Sequence, residues 1–133
     1  MTKDYMNARL EDLEDYREAP EGNYKGIITG KYVNDREVDG NMIKVIDFKV
    51  RPVEPIGDVD LDGVDLRSVN ATFSLWLDDG KAVKKFFKDL GSSSGSVIEN
   101  ADNLKNKEVT FKLTWRDTNN GKRVPNAKYL KAA

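Results

Sequence analysis

Residues 69–91 decide the fold, and they read VNATFSLWLDDGKAVKKFFKDLG. Apolar and polar residues alternate from Val69 to Leu77, which predicts a β-strand with one buried face. A helix follows, because Asp78 or Asp79 is a good N-cap and Gly91 suits the end of a helix. Four apolar side chains recur within it at i, i+3, i+4 and i+7, namely Val83, Phe86, Phe87 and Leu90. The stretch therefore predicts a half-buried strand joined directly to one amphipathic helix.

Two alternating runs precede this stretch. Tyr24–Val33 predicts the first strand, and Met42–Val50 predicts a second, antiparallel strand that ends at Pro52. The segment Asn34–Asn41 between them is polar, and we interpret it as the return of the chain. We expect the inward face of the first strand to carry Tyr24, Gly26, Ile28, Gly30 and Tyr32. Its two glycines permit a sharp bend or the close approach of another backbone, as a small closed barrel requires.

Two further strands follow the helix. Glu108–Arg116 and Arg123–Leu130 alternate, and the turn Asn119-Asn120-Gly121 between them is typical of a β-hairpin. Pro125 removes a hydrogen-bond donor, so we expect the fifth strand to be an edge or to be bulged there. Ser92–Ser96 resembles a linker, and residues 97–106 predict a short turn or helix around Leu104.

The elements therefore occur as three strands, one main helix and two strands. This is the order of an OB-fold, a mostly β, five-stranded Greek-key barrel with a helix between strands three and four. We expect this domain to cover residues 22–133. An acidic leader, partly helical over Arg9–Arg17 or flexible, covers residues 1–21.

A long acidic loop covers residues 53–66 within the expected barrel. Its segment Asp58-Val59-Asp60-Leu61-Asp62-Gly63 imitates the first half of a calcium-binding EF-hand loop. Val69 stands where that loop needs a bidentate glutamate, and no pair of flanking helices is predicted. We interpret the segment as an acidic loop and expect no metal.

Charge is distributed unevenly along the chain. Residues 1–21 hold three basic and seven acidic residues, and residues 53–66 hold five acidic and no basic ones. Residues 67–133, in contrast, hold thirteen basic and seven acidic residues. A basic body with acidic appendages suits a domain that binds a polyanion with one face. The alternative is an ordinary solvated surface.

The residue types that are missing exclude several classes of function. The chain has neither cysteine nor histidine, which removes disulfides, thiolate nucleophiles, thiolate or imidazole metal sites and histidine proton transfer. Its glycines do not follow a phosphate-binding spacing, and Ser92–Ser96 has no base to activate a serine. We therefore expect no catalytic residues, no enzyme activity and no cofactor. The polar start and the absence of long apolar runs favour a cytoplasmic protein without membrane contact.

Nucleic-acid binding needs cations for phosphates and aromatic faces for bases. The strands carry cationic and aromatic residues that we expect to face outward or to lie at strand ends, and we term them the candidate nucleic-acid site. Its members are Trp76, Lys25, Lys31, Tyr32, Lys49, Arg51, Lys112 and Arg116. Trp76 shares the polar face of its strand with Thr72 and Ser74, so it is either a stacking platform or a lid over the helix end. Tyr32 either serves the groove or closes a barrel mouth.

Four stretches of the chain carry a likeness to a known family. They are Glu21-Gly22-Asn23-Tyr24, the strand Ile43–Val50, Leu75-Trp76-Leu77 with the helix Lys84–Gly91, and the hairpin Gly121–Asn126. Over residues 21–130 the chain resembles phage and prophage single-stranded DNA-binding OB-fold proteins. The resemblance implies protection of single-stranded DNA during replication or recombination, without a cofactor, in the cytoplasm of a host if the chain is phage-encoded.

Three functional hypotheses follow. The first is a non-catalytic, weakly sequence-selective single-stranded DNA-binding protein, whose further partners are replication or recombination proteins. The second is a protein-docking or virion-associated β-barrel that binds no nucleic acid and uses its lysine-rich helix or acidic loop. An accessory domain of an enzyme is a third interpretation, and formation of a homo-oligomer is left open by the sequence.

Overall fold

The computed structural model describes residues 4, 6–13 and 17–133. Its strands are β1 (Gly22–Val38), β2 (Asn41–Pro55), β3 (Ala71–Trp76), β4 (Glu108–Asp117) and β5 (Arg123–Ala132). Helices α1 (Gly80–Asp89) and α2 (Val97–Asp102) lie between β3 and β4, and short 3-10 turns occur at Leu10–Asp12 and Leu66–Ser68. The strands close into a barrel in the order β1-β2-β3-β5-β4. This confirms the predicted mostly β, OB-like five-stranded barrel with its main helix between strands three and four.

The core is filled by the inward faces of the strands and by α1. Phe86 of α1 lies between two strand residues, with ring centroids 5.1 Å from Phe48 and 5.0 Å from Phe73. The N-cap of α1 is Asp79, whose carboxylate accepts hydrogen bonds from the backbone amides of Lys81 and Ala82. The predicted apolar face of α1 is therefore buried against the barrel, and its lysines are exposed.

Gly26 is the position at which the barrel needs a glycine for space. A Cβ added there would lie 2.6 Å from the carbonyl oxygen of Arg51 and 2.6 Å from Cε1 of Phe111. The close approach predicted from the two glycines is thus confirmed at Gly26. A Cβ added at Gly30 would meet nothing within 4 Å, so Gly30 is not needed for the same reason.

A β-bulge at Thr29 reverses the faces of β1. Ile28 lies opposite Val50, whereas Gly30 lies opposite Lys49, so one extra residue is inserted into β1. Residues directly opposite one another share a face. Beyond the bulge, Gly30 and Tyr32 therefore point outward with Lys49 and Asp47, and Lys31 lies opposite the buried Phe48. The prediction that Gly30 and Tyr32 continue the inward face was wrong, because strict alternation does not survive an inserted residue.

The hairpin between β1 and β2 is longer than predicted at both ends. The two strands pair as far as Val38 and Asn41, and the turn consists of Asp39 and Gly40 with φ of +51° and +81°. β2 also continues past Pro52, which lies buried opposite Gly26, to Pro55. The pairing of β2 with β3 ends at Val50, so Pro52 lies where β2 has a paired strand on one side alone.

The irregularity expected at Pro125 lies elsewhere. Pro125 pairs with Trp115 in regular register, and the register shift between β4 and β5 occurs further along, around Tyr129. Against β3, β5 pairs in parallel at the single position Thr72–Asn126. β5 is therefore not a free edge, but its ladder on the β3 side is so short that a proline is tolerated.

Residues 17–21 pack against the barrel. Ala19 is buried, and its carbonyl accepts a 2.8 Å hydrogen bond from the indole Nε1 of Trp115. The hydroxyl of Tyr24 donates to the carbonyl of Pro20 at 2.6 Å. The helix predicted over Arg9–Arg17 includes residues 14–16, which lie outside the described residues. In the described part of that range, Leu10–Asp12 form a short 3-10 turn.

No helix within the described part of the chain is long and apolar enough to cross a membrane.

Candidate nucleic-acid interface

The outward side of β1, β2 and β3 carries mostly polar side chains, and we term it the sheet face. Cross-strand pairs arrange it in rows, and the three central rows are Gly30–Lys49–Thr72, Tyr32–Asp47–Ser74 and Asn34–Val45–Trp76. Arg36 continues the face on β1 opposite Ile43. The face therefore places two aromatic rings and two cationic side chains on adjacent strands.

Asp47 is the organising residue of the sheet face. It is 4% exposed, and its carboxylate accepts hydrogen bonds of 2.6 Å each from Asn34 Nδ2, Arg36 Nη2 and Ser74 Oγ. Arg36 Nη1 also donates to Ser74 Oγ at 3.2 Å. A buried carboxylate with three donors is well satisfied, and through it side chains from all three strands are held in one arrangement.

The pKa of Asp47 reports the balance of forces at this position. Burial of the carboxyl group raises its pKa, but hydrogen bonds from Ser74, Arg36 and Asn34 and the charge of Arg36 together lower it further. The net effect is a pKa below the ordinary aspartate value. Asp47 is therefore an anion throughout the neutral range, and it holds Arg36 as its counterion.

Arg36 in turn lies beside Trp76. Its guanidinium carbon is 5.7 Å from the centroid of the Trp76 ring, within the range of a cation–π contact. The Arg36 side chain is 37% exposed and Trp76 is half-buried, so both retain surface that solvent or a ligand can reach. Because Arg36 covers part of the Trp76 ring and is neutralised by Asp47, the ring surface that stays exposed is the part that a ligand can reach.

The remaining part of the sheet face carries further candidates. The Nζ of Lys49 donates a 2.7 Å hydrogen bond to Thr72 Oγ1, and Arg51 is exposed one row beyond it, opposite Ile27. Tyr32 is 60% exposed. In the described residues neither Lys49 nor Arg51 forms an ion pair with an acid. These cations are therefore available to an anionic ligand.

The structure divides the residues predicted as one site. Tyr32, Lys49 and Trp76 share the sheet face, with Arg51 at its end. Four others lie apart, on the outer side of β1 and β4 or near α2, and these are Lys25, Lys112, Arg116 and Lys31.

Two of the separated lysines already have partners. Lys25 forms a 3.6 Å ion pair with Glu54. The Lys31 side chain is 22% exposed and forms a 2.9 Å ion pair with Asp102 of α2. The bulge at Thr29 explains the position of Lys31, because it moves this residue to the side of the sheet that carries the buried Phe48.

Arg36 is the residue of the sheet face that the sequence interpretation missed. The polar segment Asn34–Asn41 was interpreted as a turn, so its side chains were given no face. The dipeptide Asp39-Gly40 could have corrected this, because it is a strong two-residue hairpin pattern that extends both flanking strands. With the strand extended, Asn34 and Arg36 alternate onto one side.

The acidic loop shows no sign of a cation site. Asp60 forms a 3.2 Å ion pair with Arg17 and accepts the backbone amide of Asp62 at 2.9 Å. The described residues contain no group of three or more acidic side chains placed to hold a metal ion. Through its contacts with Arg17, the loop holds the start of residues 17–21 in place.

A scan against protein-family models found no match for this chain, and a search of curated proteins found no relative.

Proposed function

We propose that the protein is a non-catalytic single-stranded DNA-binding domain with weak sequence selectivity, which acts in phage-type DNA replication or recombination. The observation that carries the proposal is the placement of Trp76, Tyr32 and Lys49 on one outward face of three adjacent strands, with Arg51 at its end. Stacking on an aromatic face contributes about 1–3 kcal/mol per base and tolerates any base. This tolerance is the reason for expecting weak selectivity.

A single strand suits the sheet face better than a duplex does. Trp76 and Tyr32 offer ring surfaces, which bases can use when they are not stacked in a duplex. The cations Lys49 and Arg51 lie along β2 on the same surface, where they can contact a phosphate backbone. Binding is therefore expected to weaken steeply as salt concentration rises.

One observation favours a second function, docking of a protein partner. The β1–β2 hairpin extends beyond the pairing of β2 with β3, which begins at Val45. Val38 and Met42 are exposed on this extension, at 39% and 65%. An extended arm with exposed apolar side chains is a typical protein-binding element. This alternative predicts recovery of a specific protein in a pull-down and no oligonucleotide binding.

The two proposals are separated by fluorescence anisotropy of a labelled oligo-dT of about 30 nucleotides, titrated with protein at low and moderate salt. Saturable binding that falls with salt and exceeds binding to a duplex of the same length supports the DNA proposal. Equal affinity for duplex and single strand would contradict the stacking mechanism. Absence of binding at low salt would leave the docking proposal.

A further inference from the structure

The outer surface of β4 and β5 carries three lysines that have no acidic partner among the described residues. Lys112 of β4 lies directly opposite Lys128 of β5, and both are exposed. Like charges directly opposite in an antiparallel pair repel each other and destabilise the sheet. In the described part of the chain, Lys112, Lys128 and the nearby Lys131 form no ion pair. Folding alone gives no reason for this arrangement.

A strained tyrosine lies among these lysines. Lys112 pairs with Lys128 and Thr110 pairs with Lys131, so Tyr129 and Leu130 of β5 together face Phe111 of β4 in a bulge. Leu130 remains buried in the core, and Tyr129 is the extra residue, with φ of +56°. This left-handed conformation is uncommon for a bulky residue and costs free energy. The bulge turns Tyr129 outward, where it is 72% exposed.

The tyrosine and two of the lysines share a cleft. Tyr129, Lys112 and Lys131 line a cavity of about 210 Å³, together with Asn23, Ile56 and Thr110. Tyr129 and Ile56 provide apolar surface, and the two lysines provide positive charge beside it. Cations next to an exposed ring and an apolar side chain match the phosphate and the base of one nucleotide.

We propose that Lys112, Lys128, Tyr129 and Lys131, termed the β4–β5 surface, form a second contact surface for single-stranded DNA. A base stacks on Tyr129, and the lysines contact the flanking phosphates. This inference rests on the proposed function, and it adds a contact region on strands that lie apart from the sheet face. It also explains the two unfavourable features, since a charge repulsion and a strained backbone are retained where a ligand uses them.

The lysines are tested by the salt dependence of binding. The double variant Lys112→Ala, Lys128→Ala is compared with the wild-type protein by oligo-dT anisotropy over a series of salt concentrations. Loss of two phosphate contacts should reduce the slope of log affinity against log salt by about 1.4 for a single strand. Thermal unfolding should show equal or higher stability, because a repulsion is removed.

The matched control is Lys84→Ala, Lys88→Ala on α1, which removes the same charge and should leave the slope unchanged. An equal change in both double variants would overturn the inference, because net charge would then be responsible.

The tyrosine is tested by two substitutions. Tyr129→Gly should raise the midpoint of thermal unfolding, because glycine adopts a positive φ without strain, and should weaken oligo-dT binding about five-fold or more. Tyr129→Phe keeps a ring at the same place and should retain wild-type affinity. The proposal of a β4–β5 contact surface would be overturned if Tyr129→Gly and the Lys112, Lys128 double variant both bound oligo-dT as well as the wild-type protein does. The proposed function would then remain intact. A wild-type protein that binds no oligonucleotide would overturn both.

Discussion

The guanidinium of Arg36 is held between Asp47 and Trp76, with one nitrogen 2.6 Å from the carboxylate and the central carbon 5.7 Å from the ring centroid. This arrangement joins β1, β2 and β3 through side chains on their outer side. Asp47 supplies the charge that orients the cation, and Trp76 supplies the ring beside it. The geometry of the sheet face around Trp76 therefore depends on these three residues together.

Trp76→Ala should weaken binding to oligo-dT by about ten-fold, since one base loses a stacking partner worth about 1–3 kcal/mol. The protein should remain folded, because Trp76 lies on the outer side of β3 and not among the buried residues. Anisotropy and thermal unfolding measure the two effects. Trp76→Phe is the matched control and should retain most of the affinity. Loss of the folded state in Trp76→Ala would show instead that the ring is a structural lid.

Asp47→Ala should lower the free energy of unfolding by about 2 kcal/mol, because donors on Asn34, Arg36 and Ser74 lose a charged acceptor. Urea unfolding at neutral pH measures the change. The control is Asp35→Ala, which removes an ion pair with Lys44 in which both side chains are more than half exposed. That variant should change stability by less than about 1 kcal/mol. Equal effects of the two substitutions would contradict the central role of Asp47.

Stability should also depend on pH through Asp47. Its pKa is lower in the folded protein than the ordinary value of 3.8, so the unfolded chain binds the proton more readily. The stabilisation is complete above that value and is lost as the pH falls through the lower folded pKa. Urea unfolding between about pH 5 and pH 2 should therefore show a steeper loss of stability in the wild-type protein than in Asp47→Asn. Parallel pH profiles would show that Asp47 has no such linkage.

Gly26→Ala should destabilise the barrel by about 3 kcal/mol, because the added methyl group would lie 2.6 Å from a backbone oxygen and from a buried ring. Gly30→Ala on the same strand is the matched control, since its Cβ would occupy open space. Chemical denaturation of the two variants measures the difference. A Gly26→Ala protein as stable as Gly30→Ala would mean that Arg51 and Phe111 yield without cost.

Much of the fold was predictable, because it is encoded in local patterns. The alternation over Val69–Leu77 and the spacing of Val83, Phe86 and Phe87 each specify an element by its own buried face. Such patterns need no knowledge of the neighbouring strands. Deviations from them, such as the bulge at Thr29 and the continuation of β2 past Pro52, depend on the partner strand and were not predictable from periodicity.

The candidate site was predictable in part. Trp76 and Lys49 were placed on a shared surface because each lies on the polar side of a regularly alternating strand. Lys31 was misplaced by the bulge, and Arg36 was missed because its strand was thought to have ended. Lys25, Lys112 and Arg116 are predicted with Trp76 as outward-facing cations, but the alternation of single strands does not show how far apart the closed barrel places them.

The sequence alone specifies the types and order of the elements, the lack of cysteine and histidine, and the positions of the cationic and aromatic residues along the strands. These properties follow from composition and from the period of each element. The tertiary structure decided which of those residues meet. Closure of the barrel and the bulges at Thr29 and Tyr129 set the cross-strand register, and register determines which side chains share a face. The physical reason is that one inserted residue moves every side chain beyond it to the opposite side of the sheet, and only pairing with the neighbouring strand fixes where that insertion falls.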